Sequence, residues 1–156
     1  MNKERILDLC RWTLGGVFSF SGIVKCVDPV GTSVFVEKYL ATFSLDLLLP
    51  LALPIAVLLS VVEFVLGQLL LNERPHRITA VVTMVIMSLF TVVTLLNATI
   101  LPIGDCGCFG DAIRLTPLQT LLKNIALLPL SVLMLVGARR GRFNYLGTII
   151  ALVISL

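Results

Sequence analysis

Charge is what this sequence has least of. Only 13% of its 156 residues are Asp, Glu, Lys or Arg, about half the share of ordinary soluble domains. A soluble fold of this length could not cover its surface with so few polar groups, so lipid is the expected solvent. The twelve Lys and Arg residues form no basic stripe interleaved with aromatic side chains, which argues against a nucleic-acid partner. Four cysteines are too few for a secreted disulfide scaffold, and they lack the paired C-x2-C spacing of a zinc site. The single histidine, His76, follows Pro75 in a turn and gives no sign of metal binding.

What the chain has instead is long apolar sequence. It is 58% hydrophobic, with a mean hydropathy of +1.05. The fold class expected is all-α, an integral membrane four-helix bundle within residues 1–142, its helices at about 10–27, 46–71, 78–103 and 116–138. The third stretch carries no charge, and at 1.5 Å per residue it is long enough to cross about 30 Å of hydrocarbon. Asp28-Pro29 marks the end of the first helix, because proline disfavours helix in the residue before it. No small-residue cleavage site follows that helix, so it is expected to be retained rather than removed as a signal peptide. The apolar tail, 143–156, reaches only about 21 Å as a helix. It is expected to be the start of a fifth helix in a chain that continues past Leu156.

Orientation follows from the basic residues. Lys3, Arg5 and Arg11 start the first helix, Arg74 and Arg77 separate the second from the third, and Arg139, Arg140 and Arg142 follow the fourth. The opposite side holds Lys25, Lys38, Arg114 and Lys123 with Asp28, Glu37, Asp46, Asp105 and Asp111 beside them. The positive-inside rule puts the N-terminus in the cytoplasm. In the bacterial inner membrane the loop from Gly104 to Asp111 would then face the periplasm, where disulfides persist.

That loop contains Cys106-Gly107-Cys108. Gly107 permits the tight backbone that a bridge between near neighbours demands, and a bridge so strained is a good electron acceptor. An inert structural bridge and a soft-metal site for copper or zinc are the alternatives. Cys26, at the outer end of the first helix, lies on one helical face with Arg11, Gly15, Ser19 and Gly22. That small-residue face is expected to look into the bundle, making Cys26 a candidate resolving thiol for the pair; a buried small hydrophobe is the plainer reading. Cys10, about 24 Å further down the helix, reads as structural.

Glu63 lies inside the second span, where an acid is costly and normally faces a partner or a pathway. By depth its expected partner is Arg11, in a buried pair that fixes the helices, with proton handling as the alternative. Lys25, Asn97, Gln119 and Lys123 lie near the outer boundary. Lysines there commonly snorkel to the headgroups, but a polar cluster beneath a redox loop could hydrogen-bond a quinone carbonyl.

With these residues in place, the chain resembles the MauE/DoxX superfamily of small membrane proteins. The resemblance rests on Arg11, Gly15, Phe18, Ser21, Gly22 and Lys25 followed by Asp28-Pro29, on Glu63 with Gly67, and on the Asp105-Cys106-Gly107-Cys108-Phe109-Gly110 loop. It covers nearly the whole chain to about Arg142. It implies a redox-associated role: MauE is linked to making a disulfide-rich periplasmic enzyme subunit, DoxX to a thiosulfate:quinone oxidoreductase, and relatives to thioredoxin-fold proteins. The layout is similar in outline to DsbB and vitamin K epoxide reductase, which use C-x-x-C where this chain has C-x-C. The function expected is a membrane thiol–disulfide oxidoreductase, exchanging with a periplasmic thioredoxin-like partner and passing electrons to a membrane quinone. The rivals are a docking subunit with a structural disulfide and a soft-metal handler.

Overall fold

The computed structural model describes residues 3–72, 77–99 and 116–138. Every element in it is helical: α1 Lys3–Val27, α2 Pro29–Thr42, a 3-10 turn Asp46–Leu51 that leads into α3 Ala52–Asn72, α4 Arg77–Thr99 and α5 Pro117–Gly137. The expected tail helix at 143–156 lies outside the described residues.

The segment between the first two spans departs from the sequence expectation. A connection was expected there, and the chain instead forms α2. Asp28-Pro29 does end α1, but the same dipeptide starts the next helix. The Asp28 carboxylate accepts a hydrogen bond from Gly31 N at 2.8 Å, and Pro29 occupies the first helical position, where its missing N–H costs nothing and its fixed φ suits the helix. Fourteen residues span only about 21 Å, so α2 lies against the bundle without crossing a bilayer. It ends where Ser44, at φ 56°, turns the chain towards the 3-10 segment.

The four long helices run up, down, up and down. Gly15 of α1 lies against Leu71 and Gly67 of α3, and Gly22 against Phe64, which makes these two helices antiparallel. Thr94 of α4 meets Asn124 of α5, and Leu7 near the start of α1 meets Gly137 at the end of α5. One end of the bundle therefore gathers the start of α1, the end of α3, the start of α4 and the end of α5. The core at the centre draws on all four helices: Leu14, Phe18, Leu66, Leu70, Ala80, Met87, Leu127 and Met134.

The seam between α1 and α3 is closed by glycine. A Cβ on Gly22 would sit 2.5 Å from Phe64 N, and one on Gly67 would overlap Ser19 N and Oγ. Only hydrogen fits at either point, so the two backbones come into contact as small residues in lipid allow. Gln68 Nε2 donates across the seam to Ser19 Oγ at 3.1 Å. α4 and α5 meet through short polar side chains, with Asn124 Nδ2 donating to Thr94 Oγ1 at 3.2 Å. Thr83 and Ser60 satisfy their buried hydroxyls on the carbonyls of Thr79 and Ala56, at 2.8 and 2.7 Å.

Outside this core, large apolar side chains point outward on every helix, among them Leu58, Val85 and Leu122 at 64%, 60% and 68% exposure. So much exposed apolar surface marks a lipid-facing exterior. The segments Asp46–Asn72, Arg77–Thr99 and Pro117–Gly137 are each long and apolar enough to cross a membrane. α1, at 25 residues, is about 37 Å long, with its charges confined to the first three turns and the position of Lys25. The molecule is a multi-pass membrane protein.

Candidate functional site

The most polar point in the bundle interior is an ion pair. Lys25 Nζ donates to Glu63 Oε1 at 2.5 Å, with the two side chains 3% and 0% exposed. The Phe90 ring of α4 lies 5.3 Å from the same ammonium, a cation–π contact. Glu63 Oε2 is buried and makes no hydrogen bond to any described group. Beside it is a small void of about 20 Å³ lined by residues that include Ser21, Lys123 and Asn124, which is room for one water molecule.

This pairing corrects the expected partner of Glu63. Arg11 lies about 21 Å along α1 from Lys25, where it pairs with Asp8 at 3.8 Å and stacks over Trp12 at 5.5 Å. The reason is register. With Gly15 opposite Leu71, Ser19 opposite Gly67 and Gly22 opposite Phe64, Glu63 falls level with Lys25, while Arg11 falls beyond the end of α3. Gly15, Ser19 and Gly22 do face into the bundle as expected, but the buried face of α1 also takes in Cys10, Leu14, Phe18, Ser21 and Lys25, which turns Lys25 inward instead of letting it snorkel. Cys26 is correspondingly turned away from the bundle, as an exposed free thiol.

Between α3 and α4, which barely touch, the bundle opens. A cavity of about 410 Å³ fills the gap, walled by Phe35, Tyr39 and Leu40 of α2 and Phe43 at its C-cap, Ile55 and Leu59 of α3, and Leu89, Phe90 and Val93 of α4. Lys25, Thr32 and Thr94 also line it, so that with Tyr39 it has polar members. The cavity was not foreseen, because it needs α2. Its one legible trace in the sequence is the spacing of Phe35, Tyr39 and Phe43, four residues apart on a single helical stripe.

The remaining candidates separate. Lys123 is half-buried and lines the void beside Glu63. Asn97 is buried one turn beyond Thr94 and lines neither space. Gln119 is exposed and caps α5: Thr116 N donates to its side-chain oxygen at 3.0 Å, and its own N–H donates to Thr116 Oγ1 at 3.3 Å. That reciprocal capping box employs the carboxamide that was a quinone candidate. Cys106 and Cys108 lie outside the described residues. Cys26 shares its end of the bundle with Thr99 and Pro117, the helix ends that flank their segment.

Comparison with known proteins fits this architecture. The sequence model of the family described as "Methylamine utilisation protein MauE" matches residues 3–137. The chain belongs to the MauE family. The match runs from the first residue of α1 to the last of α5, so the Lys25–Glu63 pair and the cavity both lie within the MauE-like region. The chain is also similar to Protein TlpB of Flavobacterium psychrophilum, with 27% identity over 161 aligned residues that cover 93% of this chain. It spans only 43% of that relative's length. No solved structure matches this MauE-family chain.

Proposed function

We propose that this chain is a membrane thiol–disulfide oxidoreductase whose Cys106–Cys108 pair exchanges with a thioredoxin-like protein on the outer side of the bacterial inner membrane. The observation that carries the reading is a Cys-Gly-Cys motif in the sequence between α4 and α5, whose flanking helix ends, Thr99 and Pro117, share a bundle end with the free, exposed thiol of Cys26. Membership of the MauE family supports a redox-linked role. The charge distribution supports the sidedness. Arg5 and Arg77 belong to the end opposite Cys26, and basic residues are retained on the cytoplasmic side.

In the proposed step a thiolate of the reduced partner attacks the Cys106–Cys108 disulfide and forms a mixed disulfide. The partner's second thiolate then attacks its own sulfur in that bridge. The partner leaves with a disulfide, and this chain keeps both electrons and two thiols. Cys26 is the proposed resolving thiol when exchange stalls at the mixed disulfide, and the reverse direction uses the same bonds.

Two measurements test this. Cys106→Ser or Cys108→Ser should trap a periplasmic partner in an adduct that reductant releases. Thiol alkylation in membranes should show the pair titrating at roughly −120 to −270 mV, the range of exchange catalysts. A pair that stays oxidised below about −300 mV is a staple; that result, with no trapped partner, sinks the enzyme and leaves a docking subunit.

A further inference from the structure

We infer that the cavity between α2, α3 and α4 binds the ring of a membrane quinone, with the Lys25 ammonium as its hydrogen-bond donor. Three properties of the cavity select that chemistry. Its volume, about 410 Å³, is in the range of small-molecule sites. Phe35, Tyr39, Phe43 and Phe90 supply aromatic walls, which favour a flat ring stacked or edge-on between them. α3 and α4 touch little beside the cavity, and both present exposed apolar side chains such as Leu58 and Val85, so an apolar tail can remain in the membrane.

The ion pair decides the charge of the head group. An ammonium has three N–H donors, and Glu63 takes one of them, leaving donors for a ligand oxygen. Because Glu63 already neutralises Lys25, a carboxylate or phosphate arriving here would add an uncompensated negative charge beside a buried acid. That is costly at this burial, so fatty acids and phospholipid head groups are disfavoured. A neutral carbonyl accepts the hydrogen bond without that cost. Flat, neutral, carbonyl-bearing and lipid-tailed together describe a prenyl quinone. A quinone also has the redox capacity the proposed function needs: a dithiol and a quinone yield a disulfide and a quinol, two electrons and two protons passing from the sulfurs to the ring oxygens. This role rests on the thiol-exchange reading; the binding does not.

The test uses the full chain in phosphatidylcholine nanodiscs and a photoreactive azidoquinone, with labelled peptides mapped by mass spectrometry. Label should fall on α2 and α4 around Phe35, Tyr39 and Phe90, and excess decylubiquinone should remove it while oleate should not. Val93→Trp and Leu59→Trp, which fill the cavity from opposite walls, should each cut labelling at least tenfold. Val57→Trp, on the lipid-facing side of α3, should leave it unchanged. The double variant Lys25→Met/Glu63→Gln, which removes the donor without stranding a charge, should weaken competition by decylubiquinone roughly tenfold, the loss of one charge-assisted hydrogen bond. Labelling spread over the lipid-facing surface, or competed equally by oleate, would overturn the proposal, because the groove then holds acyl chains. Repeating the experiment on Cys106→Ser/Cys108→Ser separates the two readings: retained labelling with no trapped partner keeps the quinone site and removes the thiol exchange.

Discussion

α3 has two opposite flanks, and they are built differently. On the α1 side, Gly15, Gly22 and Gly67 let two backbones touch, and the paired Lys25 and Glu63 join the two helices. On the α4 side the same helix stands away, α2 covers the gap with aromatic side chains, and a cavity remains. Apolar residues alone do not close a seam in lipid, since lipid tails are as apolar as leucine. Close approach needs small residues or polar contacts across the interface. The α1–α3 seam has both, and Ile55, Leu59, Leu89 and Val93 across the gap supply neither.

Substitutions can break or sharpen this contrast, each followed by reversible unfolding in detergent. The largest effect is expected at the ion pair. Lys25→Met or Glu63→Gln strands one buried charge and should cost about 3–5 kcal/mol, whereas the double variant should recover most of the loss. A single variant as stable as wild type would mean that the pair is hydrated in the membrane. The glycine seam comes next. Gly22→Ala drives a methyl into Phe64 and should cost about 1–3 kcal/mol through forced separation of the backbones. Gly16→Ala, on the same helix with nothing within 4 Å of the added carbon, should instead stabilise by about 0.5–1 kcal/mol. Equal effects at the two positions would show that the seam is not in close contact.

A smaller change is expected between α4 and α5. Asn124→Leu removes its hydrogen bond to Thr94 and should cost about 0.6 kcal/mol, the average for such bonds between membrane helices. The smallest belongs to the open flank. Val93→Trp fills existing space and should shift stability by less than about 1 kcal/mol, although overpacking an ordinary core costs about 1–3 kcal/mol. A cost in that higher range would show that the gap closes in the membrane.

Much of the architecture was legible in the residues. Long apolar runs with few charges in a short chain admit little besides a membrane helix bundle. The helix expected from about residue 116 did start there, and Glu63 announced itself as an acid that needed a partner. Two things were not legible. Asp28-Pro29 reads equally as a stop and as a cap with its first helical residue, so α2 and its aromatic stripe were hidden behind a turn signal. Arg11 and Lys25 are both cations near an end of the same helix, and nothing local says which one lies level with Glu63.

The sequence by itself determined the solvent, the helical class and the presence of an acid that had to be compensated, because hydropathy and the cost of buried charge act residue by residue. The tertiary structure alone decided which cation compensates it, which way Cys26 points and where the bundle stays open. The first of these depends on the antiparallel register of α1 on α3, which is set where backbones meet over glycine, a contact between residues more than forty positions apart.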